Sequence, residues 1–162
     1  MRELVVPRFA ADAMLGRLAR WLRVLGYDTT LDVAVHDAEL VVCAEREERV
    51  LLTRDRRLLR DLRPARALEL REDAPLAQLR QVVRALELPS PHERMFTRCM
   101  VCNAALSQPL AAEDVRPLLP PGLQQPPPPV RRCGDCGRVY WNGSHVRRMR
   151  AALDAALPGW LE

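Results

Sequence analysis

The sequence predicts an α/β fold, a mostly parallel sheet with helices on both faces, followed by a small module organised by cysteines. Three observations carry this. Across residues 1–88, short apolar runs alternate with segments whose apolar residues recur at helical spacing. Strands that alternate with helices pair in parallel and are covered on both faces. Pro89-Ser-Pro91 cannot continue the preceding helix and marks a boundary. Beyond it regular structure thins, and four of the five cysteines fall into two C-x-x-C pairs.

The elements follow in order. Leu4–Ala11 is a strand, its ordered part pushed toward the C-terminal half by Pro7. Met14, Leu15, Leu18, Trp21, Leu22 and Leu25 share helical spacing, and Gly26 stops that helix. Tyr27–Leu31 is a short strand. A helix spans about Asp37 to Glu48, and Val50–Thr53 is a buried strand. Arg56–Leu62 is a short helix and Ala65–Leu70 a fourth strand. Asp73-Ala-Pro75 starts a helix that continues through Leu76–Leu88. In the second module, residues 89–162, Pro117–Pro129 contains the run Pro126–Pro129, expected as an extended solvated strut. Ser144–Leu157 is expected as a closing helix capped by Ser144.

Bulk properties narrow the class. With 162 residues, 48% of them hydrophobic, the chain can fill one domain plus an appendage. No apolar run is long enough to cross a bilayer. The opening Met1-Arg-Glu-Leu-Val-Val-Pro7 lacks a long apolar segment, so no secretory signal is expected and a cytosolic setting is the default. Net charge is +4, and all 25 basic side chains are Arg. GC-rich codon usage accounts for missing lysine; phosphate recognition, which guanidinium forks suit, is the functional alternative.

Cys99-Met-Val-Cys102 and Cys133-Gly-Asp-Cys136 have the spacing that lets two sulfurs of a tight knuckle face one ion. Gly134 and Gly137 suit such turns. Disulfides are disfavoured in a cytosolic chain, and neither pair has the strand-to-helix context of a redox motif. The pairs therefore predict tetrahedral Zn²⁺ on Cys99, Cys102, Cys133 and Cys136, a closed and hence structural site. The 30-residue gap between them accommodates the Pro-rich insertion. His145 reads as a helix-start residue and Cys43 as a small buried hydrophobe.

Asp12 follows the first predicted strand, Asp55 the third, and Asp37 begins the helix entering that third strand. Parallel sheets bind ligands outside the carboxyl ends of their strands, and carboxylates there suit Mg²⁺ or Mn²⁺. Each of the three also qualifies as an ordinary helix cap. Periodicity does not decide between these.

Asp37-Ala-Glu-Leu-Val-Val-Cys-Ala-Glu-Arg-Glu-Glu-Arg-Val-Leu-Leu-Thr-Arg-Asp55 resembles the second half of a PIN nuclease domain, with an Asp on a helix before a strand ending in Thr-x-Asp. Phe9-Ala-Ala-Asp-Ala-Met-Leu-Gly-Arg-Leu-Ala-Arg-Trp-Leu-Arg-Val-Leu-Gly-Tyr-Asp28 is similar to the PIN-like RNase family named after the C-terminal region of the Mut-seven exonuclease. Cys136-Gly-Arg-Val-Tyr-Trp-Asn-Gly-Ser-His145 resembles the closing segment of that family's zinc ribbon. The resemblance implies a PIN-like domain over 1–88 and a metal-dependent ribonuclease with RNA as partner. Asp12, Asp37 and Asp55 would be catalytic and hold Mg²⁺ or Mn²⁺. PIN nucleases carry one more acid on a helix between the first two; here that span offers Asp28 and Asp32, neither on a clear helix. Thr53 would orient Asp55 or a water. Arg17, Arg20 and Arg23 stand three apart on one helix, so neighbours share a face, and Arg17 and Arg20 could guide RNA. The alternative function is a non-catalytic RNA- or ribosome-associated adapter in which the ribbon and Arg147, Arg148 and Arg150 bind phosphate. A DNA nuclease is a third reading.

Overall fold

The computed structural model describes residues 6–123 and 126–162. The start of the predicted Leu4–Ala11 strand lies outside them, as do Gln124 and Gln125, which precede the predicted Pro126–Pro129 strut. The first part runs β1 (Phe9–Ala11), a 3-10 turn (Ala13–Leu15), α1 (Gly16–Val24), β2 (Thr29–Leu31), α2 (Asp37–Arg46), β3 (Val50–Thr53), α3 (Arg56–Leu62), β4 (Ala67–Glu69) and α4 (Pro75–Ala85). The second holds α5 (Ala112–Val115), a 3-10 turn (Arg116–Leu118), β5 (Arg131–Arg132), β6 (Val139–Tyr140) and α6 (Ser144–Ala156).

The four N-terminal strands form one parallel sheet in the order β2-β1-β3-β4. Side chains of a strand alternate between faces. Phe9, Ala11, Val50 and Leu52 accordingly enter one core with residues of α1, α4 and α6, while Ala10 and Leu51 enter a second with Leu40, Val41 and Ala44 of α2 and Leu58 of α3. The sheet is thus flanked by helices on both faces. β1 sits between β2 and β3, so the chain leaves it toward opposite sides of the sheet in successive crossovers. The carboxyl ends of β1 and β3 therefore form a topological switch point.

The ends of α1 show local chemistry at work. Asp12 accepts from the Met14 amide and its carbonyl from the Leu15 amide. That tight turn makes Ala13–Leu15 a 3-10 segment and leaves Met14 77% exposed, so Met14 is not on the buried face of α1 as its spacing suggested. Gly26 ends α1 with φ +83°, and a Cβ there would come within 2.3 Å of the Arg94 carbonyl oxygen. Only glycine allows both.

α4 ends at Ala85, short of the predicted Leu88, because the chain turns at Leu86 and Glu87 takes φ +49°; Pro89 lies beyond that turn, and the core continues past it. Leu88, Met95, Leu153 and Leu157 share the cluster of α1 and α4, and Trp160 Nε1 donates to the Leu88 carbonyl at 2.9 Å. The closing helix begins one residue differently from expectation: Gly143 is its N-cap and Ser144 its first residue, with no side-chain cap bond. A Cβ at residue 143 would approach Trp141 Nε1 to 2.9 Å, so the indole lies against the backbone at this position.

Candidate functional site

At the switch point, the Asp12 amide donates to the Leu52 carbonyl at 3.0 Å, which carries the β1–β3 pairing to its end. There the Thr53 hydroxyl donates to Asp12 Oδ2 at 2.8 Å and accepts from the Asp55 amide at 3.0 Å. Thr53 is fully buried. One hydroxyl thus fixes the Asp12 carboxylate against the turn that presents Asp55. Asp55 caps α3, its Oδ1 accepting from the amides of Arg57 at 2.7 Å and Leu58 at 3.2 Å. Asp12 and Asp55 therefore do act as caps, and capping leaves acceptor capacity. Each carboxylate oxygen has two lone pairs, and Asp55 Oδ2 takes no hydrogen bond among the described residues. Asp37 lies exposed in the first turn of α2, whose N-cap is His36. Arg17 and Arg20 are exposed on α1. Asp12, Asp55 and Thr53 are joined by hydrogen bonds; Asp37, Arg17 and Arg20 are not tied to them. The donor set is all oxygen, the kind a hard divalent cation takes.

The two other acids of the first crossover have separate positions. Asp32 follows β2 and its Oδ1 accepts from the Ala34 amide at 2.9 Å. Asp28 precedes β2, at the opposite edge of the sheet, where it receives Arg49 at 2.7 and 3.2 Å.

The four cysteines form the second centre. Cys99, Cys102, Cys133 and Cys136 are, among the described residues, the one group of three or more potential ligands whose donor atoms all lie within 4.8 Å of one another. Sulfur separations of 3.7 Å for Cys99–Cys136 and 3.4 Å for Cys102–Cys133 approach the edge of about 3.8 Å that a tetrahedron with Zn–S near 2.3 Å requires. The knuckles repeat one backbone pattern. The amides of Cys99 and Cys133 donate to the carbonyls of Ala104 and Arg138, and the amides of Asn103 and Gly137 return to the carbonyls of Cys99 and Cys133. The closing residue has positive φ in both, +71° at Asn103 and +74° at Gly137. Gly134, expected to serve the turn as well, has no such φ and open space around it.

The thiols respond to this crowding. Burial pushes Cys99 up, but the Cys102 amide, the Tyr140 hydroxyl at 3.0 Å and the Val101 amide outweigh it and bring the thiol down to about 6. The Ala104 amide favours the Cys102 thiolate, yet burial and the three neighbouring sulfurs push this thiol up to about 12. Four sulfurs at this spacing become thiolates together only around a cation, which fits soft Zn²⁺.

A buried polar clamp ties the first knuckle to the sheet. Arg23 of α1 is only 5% exposed, so it does not share the solvent face of Arg17 and Arg20. Its guanidinium donates to the carbonyls of Thr29 at 2.9 Å, Met100 at 3.1 Å and Val101 at 2.8 Å. Asn103 accepts from the Thr29 amide at 2.9 Å and donates to Asp28 Oδ1 at 2.7 Å. Burial raises the Asp28 carboxyl, but Arg49 and Asn103 more than offset it and hold the group below its ordinary value. Sequence reasoning missed Arg23, Asn103 and the Asp28–Arg49 pair. The one available signal was Asn103, a residue tolerant of positive φ standing where Gly137 stands in the other knuckle.

An open parallel sheet with carboxylates at its switch point, tied to a four-thiol ribbon, defines a two-centre α/β protein. The chain belongs to the Mut7-C RNAse domain family, whose model matches residues 7–153. No curated protein and no solved structure gives a match. Membership suggests an RNase-type function with RNA as partner. Among the described residues no helix is long and apolar enough to cross a membrane.

Proposed function

We propose that the chain is a PIN-like, divalent-metal-dependent ribonuclease that hydrolyses RNA phosphodiester bonds at the carboxyl edge of β1 and β3. The observation that carries this reading is the Asp12–Thr53–Asp55 linkage at the switch point, in a chain of an RNase family. Asp12, Asp37 and Asp55 would hold Mg²⁺ or Mn²⁺, which when bound supplies Lewis-acid stabilisation of phosphoryl charge and activates water. Thr53 donates its hydroxyl hydrogen bond to Asp12 and so locks the carboxylate in one orientation. Its buried position keeps that bond out of competition with water. Exposed Arg17 and Arg20, one to two turns beyond Asp12, hold RNA phosphates by guanidinium forks. Zn²⁺ on the four cysteines is closed and folds the ribbon without entering the reaction. None of the five cysteines is in a disulfide, which suits a cytosolic setting.

The test is cleavage of single-stranded RNA by the pure protein with and without Mn²⁺, alongside Asp12→Asn, Asp37→Asn and Asp55→Asn. Each variant should lose cleavage and Mn²⁺-dependent stabilisation. Asn caps a helix about as well as Asp, and removing one of several like charges relieves repulsion, so each should melt no lower than the parent without metal. Unchanged cleavage together with unchanged Mn²⁺ stabilisation in all three would refute the carboxylate site. RNA binding without metal-dependent cleavage by the parent protein is the outcome that favours a non-catalytic RNA adapter, a reading supported by the basic surface of the ribbon.

A further inference from the structure

A cleft of about 430 Å³ opens between the ribbon and the start of α6, away from the carboxylate edge. Phe96, Tyr140, Trp141, Arg98, Arg131 and Arg150 line it, and no Asp or Glu does. The chain has three Trp, two Tyr and two Phe, and three of these seven aromatic side chains line the cleft, Phe96 also packing against the core. Arg150 lies over the Phe96 ring at 5.1 Å. Arg98, Arg131 and Arg150 make no ion pair with an acid among the described residues; Arg98 donates to the Asn103 carbonyl and Arg131 to the Ser107 carbonyl at 2.9 Å, which leaves the other nitrogens of each fork for a phosphate. Trp141 is partly exposed, and its indole is held against Gly143, where even a Cβ would come within 2.9 Å. The amides of Ser144, His145 and Val146 open α6 at the same cleft without a side-chain cap.

We infer that this cleft anchors one nucleotide of a single-stranded RNA, the base stacking on Trp141 and the flanking phosphates meeting Arg98 and Arg131. The volume lies in the range of small-molecule sites. It admits one splayed nucleotide and excludes a duplex. A fixed aromatic plane beside guanidinia that have no carboxylate partner is the combination that recognises single strands, because every base has a π-face and every linkage a charge. A protein segment would leave the arginines uncompensated unless it were acidic.

The anchor is distinct from the carboxylates. Phe96 meets the far end of α1, its amide donating to the Val24 carbonyl at 2.8 Å, whereas Asp12 precedes that helix. Nine residues of α1 separate the two ends by about 14 Å at 1.5 Å per residue. Arg17 and Arg20 stand on the helix between them. The inference rests on RNA being the ligand of this chain, and it places a second contact upstream or downstream of the bond to be cut. Short RNAs would reach only one of the two sites.

The test is fluorescence anisotropy of a labelled 12-nucleotide oligoadenylate with the full, zinc-loaded chain and no added Mg²⁺ or Mn²⁺, so that binding is read without cleavage. Trp141→Leu should weaken binding about 5- to 150-fold, the loss of one base–aromatic stack. Arg98→Gln with Arg131→Gln should reduce the slope of log K against log salt by about 1.4, or about 0.7 per phosphate. Zinc content and melting temperature verify that the variants are folded. An arm without any variant compares the parent's affinity for the 12-mer with that for an abasic strand of equal length, which should bind more weakly. Equal affinity for both strands overturns stacking, and AMP binding as tightly as the 12-mer overturns strand anchoring. Unchanged affinity in all the variants overturns the site as a whole and leaves the cleft to an acidic protein segment. Asp12→Asn should lose metal-dependent cleavage of a dinucleotide and still bind the 12-mer without added metal, whereas Trp141→Leu should lose affinity for the 12-mer. Failure at the carboxylates and failure at the cleft therefore give different results.

Discussion

Replacing Arg23 with methionine breaks the tie between the ribbon and the sheet while keeping most of the apolar stem. The guanidinium donates three hydrogen bonds from a buried position, one to the start of β2 and two to the carbonyls between Cys99 and Cys102. Hydrogen bonds to charged groups are each worth about 1.5–3 kcal/mol. Part of that is returned, because the variant no longer removes a cation from water. The expected net loss is about 3–4 kcal/mol, the lower part of the range for removing one partner of a buried charged contact. In a chain of this size each kcal/mol moves the melting temperature by about 2–4 °C, so Tm should fall by roughly 6–16 °C. Burial pushes the Arg23 guanidinium down and the sulfurs of Cys102 and Cys99 oppose it. With Zn²⁺ bound, four thiolates would leave a net negative centre, so the effect should shrink when zinc is stripped. Urea denaturation followed by circular dichroism, with zinc measured on the same samples, reads all of this. Arg23→Lys should recover at most one of the three contacts, since an ammonium is a point donor without the planar fork. An Arg23→Met protein within about 1 kcal/mol of the parent would show that the clamp contributes nothing net, because the lost bonds and the relieved desolvation would then cancel.

Three further outcomes follow from the same geometry. Cys133→Ser should lose zinc, which elemental analysis should find at about one per chain in the parent, and should unfold the ribbon; a zinc-free yet cooperative C-terminal region would contradict the closed site. Asp28 is held below its ordinary value, so its contribution to stability is complete above about pH 4 and is lost as pH falls through its folded value. Asp28→Asn should flatten the acid limb of the stability–pH curve and cost about 2–3 kcal/mol at neutral pH, less than a fully buried pair because 22% of the side chain is exposed; an unchanged acid limb would remove Asp28 from the account. Thr53→Val should cost about 1–3 kcal/mol and reduce kcat on RNA more than it raises KM, with Thr53→Ser restoring both; equal turnover in valine and serine variants would make the hydroxyl purely structural.

The sheet was legible because each strand carries its own signal. Val50–Thr53 is an apolar run of strand length, and it is buried throughout. Gly26 and Pro75 mark element ends for reasons local to the backbone. The four-sulfur cluster was legible for the same reason, since C-x-x-C is a local geometry and only one partner pair was available. What escaped was decided by tertiary contact. Arg23 has the same helical spacing as Arg17 and Arg20, yet the knuckle of Cys99 and Cys102 covers it and they stay in solvent. Nothing between residues 20 and 26 announces that two carbonyls almost 80 positions away will need a donor. Asp28 could be noticed as an acid and not as the partner of Arg49 and Asn103, because its three-way bond joins segments distant in sequence. Ser144 failed as a cap because the helix begins at Ser144 itself and Gly143 takes the N-cap position.

The clamp also explains how a small sheet carries two centres without interference. β3 is four residues long, about 13 Å at 3.3 Å per residue, so a second module has only two strand edges on which to settle. Arg23, Thr29 and Asp28 hold the ribbon to the amino end of β2, the edge at which parallel strands rarely bind ligands. On the proposed function, the carboxyl edge, with Asp12, Thr53 and Asp55, is left for the substrate. α6 then returns from the ribbon to the core through Leu153 and Leu157, so the module is anchored twice, by polar bonds at one knuckle and by apolar packing at its closing helix. A ribbon held at both points is a rigid surface. An RNA strand that touches both the ribbon and the switch point therefore does so at a fixed separation. On this reasoning, loosening the clamp should weaken long RNAs more than short ones, even where the carboxylates are untouched.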